Sequence, residues 1–471
     1  MSKCKIILKD EVNIKFENLD LSIRKHLTSK FRYRVPGAQF IPSVRLGRWD
    51  GCINFFTLGG ATYLNLLPEI LPILNEYSIE VEVDDRRSVW PEFVFTKVDD
   101  QSYSHLTWPE GHRFAGENIT LRDYQVNIIN EYLADTQCLQ EIATGAGKTL
   151  ITGVLSHKIE PYGRSIVIVP TKTLVTQTED DYKNLQLDVG VFYGKRKEFG
   201  HKHTICTWQS LDSLLKKTKK NEAPITIDEF LKDVICVIVD EAHAAKADAL
   251  KALLTGPFAN VPIRWGLTGT IPKEVFDYTS LMIGIGEVIN KVDASTLQEA
   301  GVLANCHVQV LQTVDLLEFS NYSAELKHLV TDPKRVEWIA ETVSDISKTG
   351  NTLVLVDRIE AGQLLEELIP DSVFISGTTK DKKRKEHYDE IASSEGKTIV
   401  ATFGVASVGI NLPRLFNVVL IEPGKSFIRT IQSIGRGLRI AEDKDFVQIY
   451  DITSTCKFSK RHLGKRKQFY R

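Results

Sequence analysis

Between Cys138 and Leu155 the chain passes from an apolar, strand-like run, through a turn with two glycines, into an apolar-faced helix. The turn reads Glu141-Ile-Ala-Thr-Gly-Ala-Gly-Lys-Thr149. Few folds accept that succession. Gly145 and Gly147 let the backbone approach a ligand closely with N–H groups pointing inward, at the start of a helix where an anion is favoured. Thr144 to Gly147 would cradle phosphate oxygens, with Ala146 in the same loop. Lys148 would reach the β/γ-phosphates, and the Thr149 hydroxyl would hold Mg²⁺. The full phosphate-loop pattern begins with Gly where this chain has Ile142. Without a ligand, the same residues would be only a Gly-rich strand-to-helix turn.

A second element removes most of that ambiguity. The run Asp233-Val-Ile-Cys-Val-Ile-Val239 is continuously apolar and β-branched, as in a parallel strand buried on both faces, and it ends in Asp240-Glu241-Ala-His243. A carboxylate at the C-terminal end of such a strand stands where α/β sheets bind ligands. Asp240 would contact Mg²⁺, and Glu241 would orient or deprotonate an attacking water. The two elements together imply that a nucleoside triphosphate is bound and hydrolysed.

At 471 residues the chain has room for two or three domains, and its net charge of −2 leaves no global polycation. Any nucleic-acid surface must therefore be local. Residues 1–50 hold eleven Lys/Arg against five Asp/Glu, residues 51–115 hold four against ten, and 457–471 hold seven basic residues and no acid. Seven dispersed cysteines without a C-x-x-C pair argue against a zinc ribbon and suit a reducing cytosol. The N-terminus lacks a signal peptide's apolar stretch, and no run reaches the length of a membrane span. The expected location is the cytoplasm, that of the host cell if the chain is phage-encoded, with no membrane partner.

Residues 1–115 read as a small mixed α+β domain. From 116 to 290 the pattern is strand–helix repeats, with strands expected at Ser165–Val169, Thr204–Trp208, Val234–Val239 and Trp265–Thr268. Gly284–Ala304 reads as a connector. A second series over 291–471 has strands expected at Val308–Gln312, Thr352–Val356, Val373–Ser376, Thr398–Thr402, Asn417–Ile421 and Val447–Tyr450. Its helices are expected near 358–368, 380–393 and 427–440.

The motifs form an ordered set that resembles superfamily 2 helicases over roughly residues 118–455. Leu121-Arg-Asp-Tyr-Gln125 resembles the adenine-reading Q motif, which implies Arg122 against the base and Gln125 on its edge. Val169-Pro-Thr-Lys-Thr-Leu-Val-Thr-Gln177 and Thr207-Trp-Gln-Ser-Leu211 resemble motifs Ia and Ib. The resemblance implies backbone contacts to a nucleic-acid strand from Thr171, Lys172, Thr207, Trp208 and Gln209. Gly266-Leu-Thr-Gly-Thr270 resembles motif III, so Thr268 and Thr270, with His243, would couple nucleotide site to strand site; packing is the other reading of His243. Ala401–Asn411 resembles motif V, with Gly409 at the nucleotide. Gln432-Ser-Ile-Gly-Arg-Gly-Leu-Arg439 resembles motif VI, where Arg436 and Arg439 share a helix face and would act as arginine fingers. The implied fold is two RecA-like doubly wound α/β domains forming a nucleotide cleft, with ATP and Mg²⁺ as cofactors.

Phe31-Arg-Tyr-Arg-Val35 and Val44-Arg-Leu-Gly-Arg-Trp-Asp-Gly51 resemble the N-terminal region of UvsW-like phage branched-DNA helicases. Arg45 and Arg48 would hold phosphates. Trp49 would either stack on unpaired bases or sit in a core. The resemblance implies a DNA helicase or translocase acting on forks and junctions in repair, recombination or replication, with other proteins of those processes as further partners. Two alternatives stay open: an RNA helicase, and a structure-selective DNA-binding or annealing protein that uses ATP as a switch. Lys216-Lys-Thr-Lys-Lys220 reads as a solvated loop. The tail from Lys457 is either a DNA-binding segment or a solubilising end.

Overall fold

The computed structural model describes residues 3–470 except 111, 113, 245–246, 301, 303–304, 380–382, 384–385, 389, 391–393, 407–413 and 425–445. Contacts divide the chain into two units: Met1–Ile142 with Gly147–Lys291, and Ala143–Ala146 with Val292–Arg471.

The first unit begins with a four-stranded sheet in the order β5-β2-β1-β6, made of β1 (Lys3–Leu8), β2 (Asn13–Glu17), β5 (Ala61–Tyr63) and β6 (Glu80–Asp85). β1 pairs antiparallel with β2 and parallel with β6. Helices α1 (Leu21–Lys30) and α3 (Leu67–Glu76) supply buried Ile23, Leu27, Ile70 and Leu74 to its core. A separate hairpin, β3 (Arg32–Arg34) with β4 (Cys52–Asn54), carries a tip that includes the short helix α2 (Pro42–Arg45).

This small domain does not stand apart from the remainder of its unit. Its core continues into Phe276, Met282 and Ile283 of α10 (Val275–Gly284). Glu11 N–H donates to the Ala259 carbonyl (2.9 Å), and Asn13 Nδ2 donates to that of Thr255 (2.9 Å). The receiving loop is held by Arg264, a fully buried guanidinium that donates to the carbonyls of Leu254, Phe258, Val261 and Gly284. Carbonyl acceptors offset the cost of burying that charge.

The rest of the unit is an eight-stranded sheet, β10-β9-β11-β8-β12-β13-β7-β14. Its strands are β7 (Gln137–Ile142), β8 (Arg164–Val169), β9 (Val189–Tyr193), β10 (Arg196–Lys197), β11 (His203–Thr207), β12 (Val234–Val239), β13 (Ile263–Thr268) and β14 (Glu287–Val292). From β9 to β7 neighbouring strands are parallel, and β10 folds back antiparallel on β9. All six residues of β12 are buried, which explains its unbroken apolar run. The helices are α4 (Asp123–Ala134), α5 (Lys148–Ile159), α6 (Lys172–Asn184), α7 (Trp208–Lys219), α8 (Ile227–Phe230) and α9 (Ala247–Thr255), besides α10.

Three expectations need correction here. The connector at 284–304 contains β14, which extends the first sheet, and a short helix, α11 (Ala294–Glu299). β14 alternates exposed and half-buried residues, the pattern of an edge strand, so it lacks the apolar run of the inner strands. The strand expected to reach Trp208 stops at Thr207, whose hydroxyl accepts from Ser210 N–H and starts α7. Lys216, Lys217 and Lys219 lie in the last turn of α7 rather than in a loop, where cations suit the carbonyl end of the helix.

The second unit is a wholly parallel six-stranded sheet, β15-β20-β19-β16-β18-β17. Its strands are β15 (Asn305–Thr313), β16 (Thr352–Val356), β17 (Ser372–Ile375), β18 (Thr398–Thr402), β19 (Asn417–Ile421) and β20 (Phe446–Ser454). Helices α12 (Tyr322–Thr331), α13 (Pro333–Ser347) and α14 (Ile359–Leu368) pack on it. α13 starts with the Asp332 cap and a proline at its first position. The basic C-terminal segment is a helix, Lys457–Arg466, followed by a 3-10 turn. Glu325 accepts from the N–H groups of Phe458 (3.1 Å) and Ser459 (2.6 Å) at its start, and Arg466 forms a buried pair with Asp451 (2.9 Å).

Candidate active site

The first unit gathers the sequence motifs at the C-terminal ends of β7, β12 and β13, where parallel sheets leave room for a ligand. The phosphate loop follows β7. Gly145 and Gly147 both take positive φ, 93° and 81°, conformations that side chains resist. Gly147 caps α5, and a Cβ there would come within 2.6 Å of Gln125 Nε2. Gln125 is buried, and its Oε1 accepts from Arg122 N–H at the start of α4 (3.0 Å). The Q-motif glutamine thus lies against the loop. Arg122 is exposed, and its guanidinium donates to the Tyr124 hydroxyl (3.1 Å). Thr144, Gly145 and Ala146 form the turn between β7 and α5, and Thr149 sits half-buried in the first turn of α5.

Lys148 Nζ lies 2.9 Å from Glu241 Oε1 and 3.3 Å from the Ile142 carbonyl. Glu241 takes φ 48°, a left-handed conformation that costs a non-glycine residue about 1–3 kcal/mol. Its second oxygen faces Gly269 N–H (3.4 Å) and His243 Nδ1 (3.5 Å). His243 Nδ1 is also 2.6 Å from the Thr268 hydroxyl, which in turn bonds the Thr270 carbonyl (2.9 Å). One connected path therefore runs from Lys148 through Glu241 and His243 to Thr268 and Thr270.

The charges in this group are unequal. Burial pushes the Asp240 carboxyl above its ordinary value, and the neighbouring Glu241 charge adds to that, against the pull of Lys148. Burial works against the Glu241 charge too, but Lys148, His243 and the Gly269 N–H together hold its carboxyl below the usual range. Burial also lowers the His243 imidazole, which Glu241 partly restores and Lys148 lowers again. Glu241 is thus the ionised carboxylate of the group, and burial disfavours the charged form of His243.

A surface cleft of about 520 Å³ opens beyond the ends of β8 and β11 in the same unit. Thr171, Lys172, Thr207 and Gln209 line it. The Thr171 and Thr207 hydroxyls cap α6 and α7, and Gln209 Nε2 reaches the Pro170 carbonyl (3.4 Å). Trp208 packs half-buried against the sheet core. The wall also includes Gly194 and Lys197, which the sequence reading missed, and Lys217, which it placed in a solvated loop. The usable signal was Tyr193-Gly-Lys-Arg196, a glycine turn closing the β9–β10 hairpin.

On the β3–β4 hairpin, Arg45 and Arg48 are exposed. Trp49 is half-buried and donates its indole N–H to the Cys52 carbonyl (3.0 Å), so it braces the tip. Arg436, Arg439 and Gly409 lie outside the described residues. Among the described residues, no helix is long and apolar enough to cross a membrane.

Residues 118–273 match the family model of the type III restriction enzyme res subunit, and residues 334–441 match the helicase conserved C-terminal domain. The chain is 24% identical over 461 residues to the ATP-dependent DNA helicase UvsW of Enterobacteria phage T4, covering 93% of this chain and 88% of that protein. It is 25% identical over 367 residues to the putative DNA 3′-5′ helicase Rad25 of Haloarcula marismortui, covering 74% of this chain and 56% of the relative. A similar solved structure is the ATP-dependent Type ISP restriction-modification enzyme LlaBIII bound to DNA, with TM-score 0.54 and 17% identity over 80% of this chain and 30% of that one. The crystal structure of T4 UvsW aligns over 99% of this chain and 97% of its own, with TM-score 0.48 and 20% identity.

Proposed function

The chain belongs to the superfamily 2 helicases, and from that premise we propose that it is an ATP-dependent DNA helicase that unwinds or branch-migrates forked and junction DNA. The observation that carries this reading is the path from Lys148 through Glu241 and His243 to Thr268. It ties the group that would meet the γ-phosphate to the loop after β13.

The residues fit MgATP. Thr149 and Asp240 offer hard oxygen donors of the kind magnesium takes, and burial leaves the Asp240 charge short of a compensating cation. Magnesium would neutralise phosphate charge there. Lys148 would exchange Glu241 for the β/γ-phosphates, releasing an ionised carboxylate to orient or deprotonate the attacking water. The loop from Thr144 to Gly147 would hold phosphate oxygens. Arg122 and Gln125 would read the base, and Gly409 would approach the nucleotide. Arg436 and Arg439 would stabilise charge on the transferring phosphoryl group. His243, Thr268 and Thr270 would pass the change in the site toward the strand.

Thr171, Lys172, Thr207, Trp208 and Gln209 are proposed strand contacts, and Arg45, Arg48 and Trp49 belong to the part of the N-terminal domain that would meet the branch. The proposed setting is the cytoplasm, alongside other replication or recombination proteins. The preference for DNA over RNA, and for branched DNA, rests on the likeness to UvsW-type helicases.

The test is ATP hydrolysis in parallel with product formation on a forked duplex and a mobile four-way junction, wild type beside Lys148→Ala. DNA-stimulated hydrolysis with junction conversion, both lost in the variant, supports the motor. Stimulation by RNA alone points to an RNA helicase. Junction processing that survives Glu241→Gln points to a binding or annealing protein.

A further inference from the structure

The hairpin tip between β3 and β4 is a folded object rather than slack chain. Val35 N–H donates to the Gly51 carbonyl (2.8 Å), Ala38 is fully buried, and Trp49 ties its indole to the Cys52 carbonyl. Gly51 takes φ 80°, and a Cβ there would come within 2.8 Å of Ala38. A tip packed this well would be expected to keep its large apolar side chains inside. Phe40 and Leu46 do the opposite, at 77% and 65% exposed. Phe40 ends the 3-10 turn Ala38–Phe40, and Leu46 caps α2.

The charges around them are one-sided. Arg34, Arg45 and Arg48 are exposed, and the one acid between residues 35 and 51, Asp50, pairs with Arg32. A surface meant for a second copy of this chain would set these arginines against themselves, because a two-fold contact pairs a patch with its own image. A surface meant for nucleic acid uses both features. Guanidiniums hold phosphates without regard to sequence, and apolar side chains enter a base step and unstack it.

We infer that this tip is a wedge: Phe40 and Leu46 insert into the base stack of DNA at a branch point while Arg34, Arg45 and Arg48 hold the flanking phosphates. The inference rests on the DNA reading above. The branch is the preferred site because bases there have already lost stacking partners, so the cost of opening the step is lowest. The wedge requires no nucleotide. It would act before the motor fires and would keep separated bases from closing behind it.

The experiment uses the full chain and a forked duplex with 2-aminopurine at the junction, without ATP. Wild type is expected to raise the fluorescence of the junction base. The double variant Phe40→Ala/Leu46→Ala is expected to abolish that rise and to lower base pairs separated per ATP hydrolysed by about fivefold to 100-fold, the worth of one lost base stack. Its ATPase on single-stranded DNA is expected to match wild type. Phe40→Trp should retain the signal. Arg45→Ala/Arg48→Ala should weaken fork binding and flatten its salt dependence.

A double variant with wild-type fluorescence and coupling overturns the wedge. So does a concentration-dependent dimer in sedimentation that the double variant abolishes while the junction signal stays, which would make the tip an interface between copies. If wild type hydrolyses no ATP with any DNA, the motor reading falls, and the nucleotide-free fluorescence still decides the wedge.

Discussion

Lys148 and Glu241 neutralise each other across 2.9 Å, so the residue that would meet the γ-phosphate and the residue that would meet the water are each other's partner before nucleotide arrives. Glu241→Gln keeps the shape and removes the charge. It is predicted to lower kcat for ATP hydrolysis by about 10²–10⁴-fold while fluorescent-nucleotide binding persists. Equal loss of binding and turnover would count against a role in activating water.

The bond between His243 and Thr268 predicts a different defect. Thr268→Val keeps the volume and removes the hydroxyl, leaving the imidazole without one of its partners. DNA-stimulated hydrolysis should fall by less than about tenfold, roughly the worth of one hydrogen bond, whereas strand separation per ATP should fall further. Rates and product formation measured on one fork preparation check the ratio.

Gly147→Ala meets two obstacles. Its φ of 81° disfavours a side chain, and the new Cβ would press on Gln125 Nε2. The backbone part alone costs about 1–2 kcal/mol. Nucleotide affinity is predicted to drop at least about tenfold, and in a Gln125→Ala background, which lacks both the clash and the proposed base contact, the further loss caused by Gly147→Ala should shrink to the backbone part. Titration calorimetry on the single and double variants separates the two.

Glu422 gives a pH dependence in the second unit. Burial pushes its carboxyl up to about 7, even though Arg335 and Ser459 both donate to it. A carboxyl raised in the folded state keeps its proton where the unfolded chain has lost it. Its contribution is full below the unfolded value near 4.5 and is lost as pH rises through about 7. Thermal unfolding from pH 5 to 8 should show the wild type losing up to about 3 kcal/mol relative to Glu422→Gln. A parallel pH trend in both proteins would refute the assignment.

Phe276→Ala tests the shared core. This α10 residue stacks edge-on with Phe55 at 5.8 Å, and Lys251 of α9 lies 4.0 Å above the Phe55 ring. The substitution should cost about 3–5 kcal/mol. It should shift hydrogen-exchange protection in β1 and in α10 together, although the two are far apart in sequence.

The parts of this protein that were legible in its sequence are those where local chemistry decides the structure. The apolar run into Asp240 can only be an inner strand, and a turn with Gly145 and Gly147 before Lys148 can only open a helix. β14 was illegible because an edge strand needs only one buried face, and Glu287–Val292 alternates too weakly to stand out. The helix from Lys457 was hidden for a related reason. Its buried face has a single apolar residue, Leu463, beside Ser459, His462 and Arg466, and Ser459 and Arg466 meet Glu325 and Asp451, residues distant in sequence. The Lys148–Glu241 contact joins residues 93 positions apart, and no spacing rule reveals it.

The N-terminal domain has no play in its mounting. Its sheet and the motor helix α10 fill one interior, and the Glu11 backbone and the Asn13 side chain are pinned to the end of α9 and the loop after it, which Arg264 stiffens. A tether would let the two parts drift and meet by chance; this joint is closer to a weld. Whatever the hairpin tip grips is therefore carried through every displacement of the first motor domain without delay or lost travel. Cutting the chain after residue 115 would yield not a lighter engine but one with a torn hull.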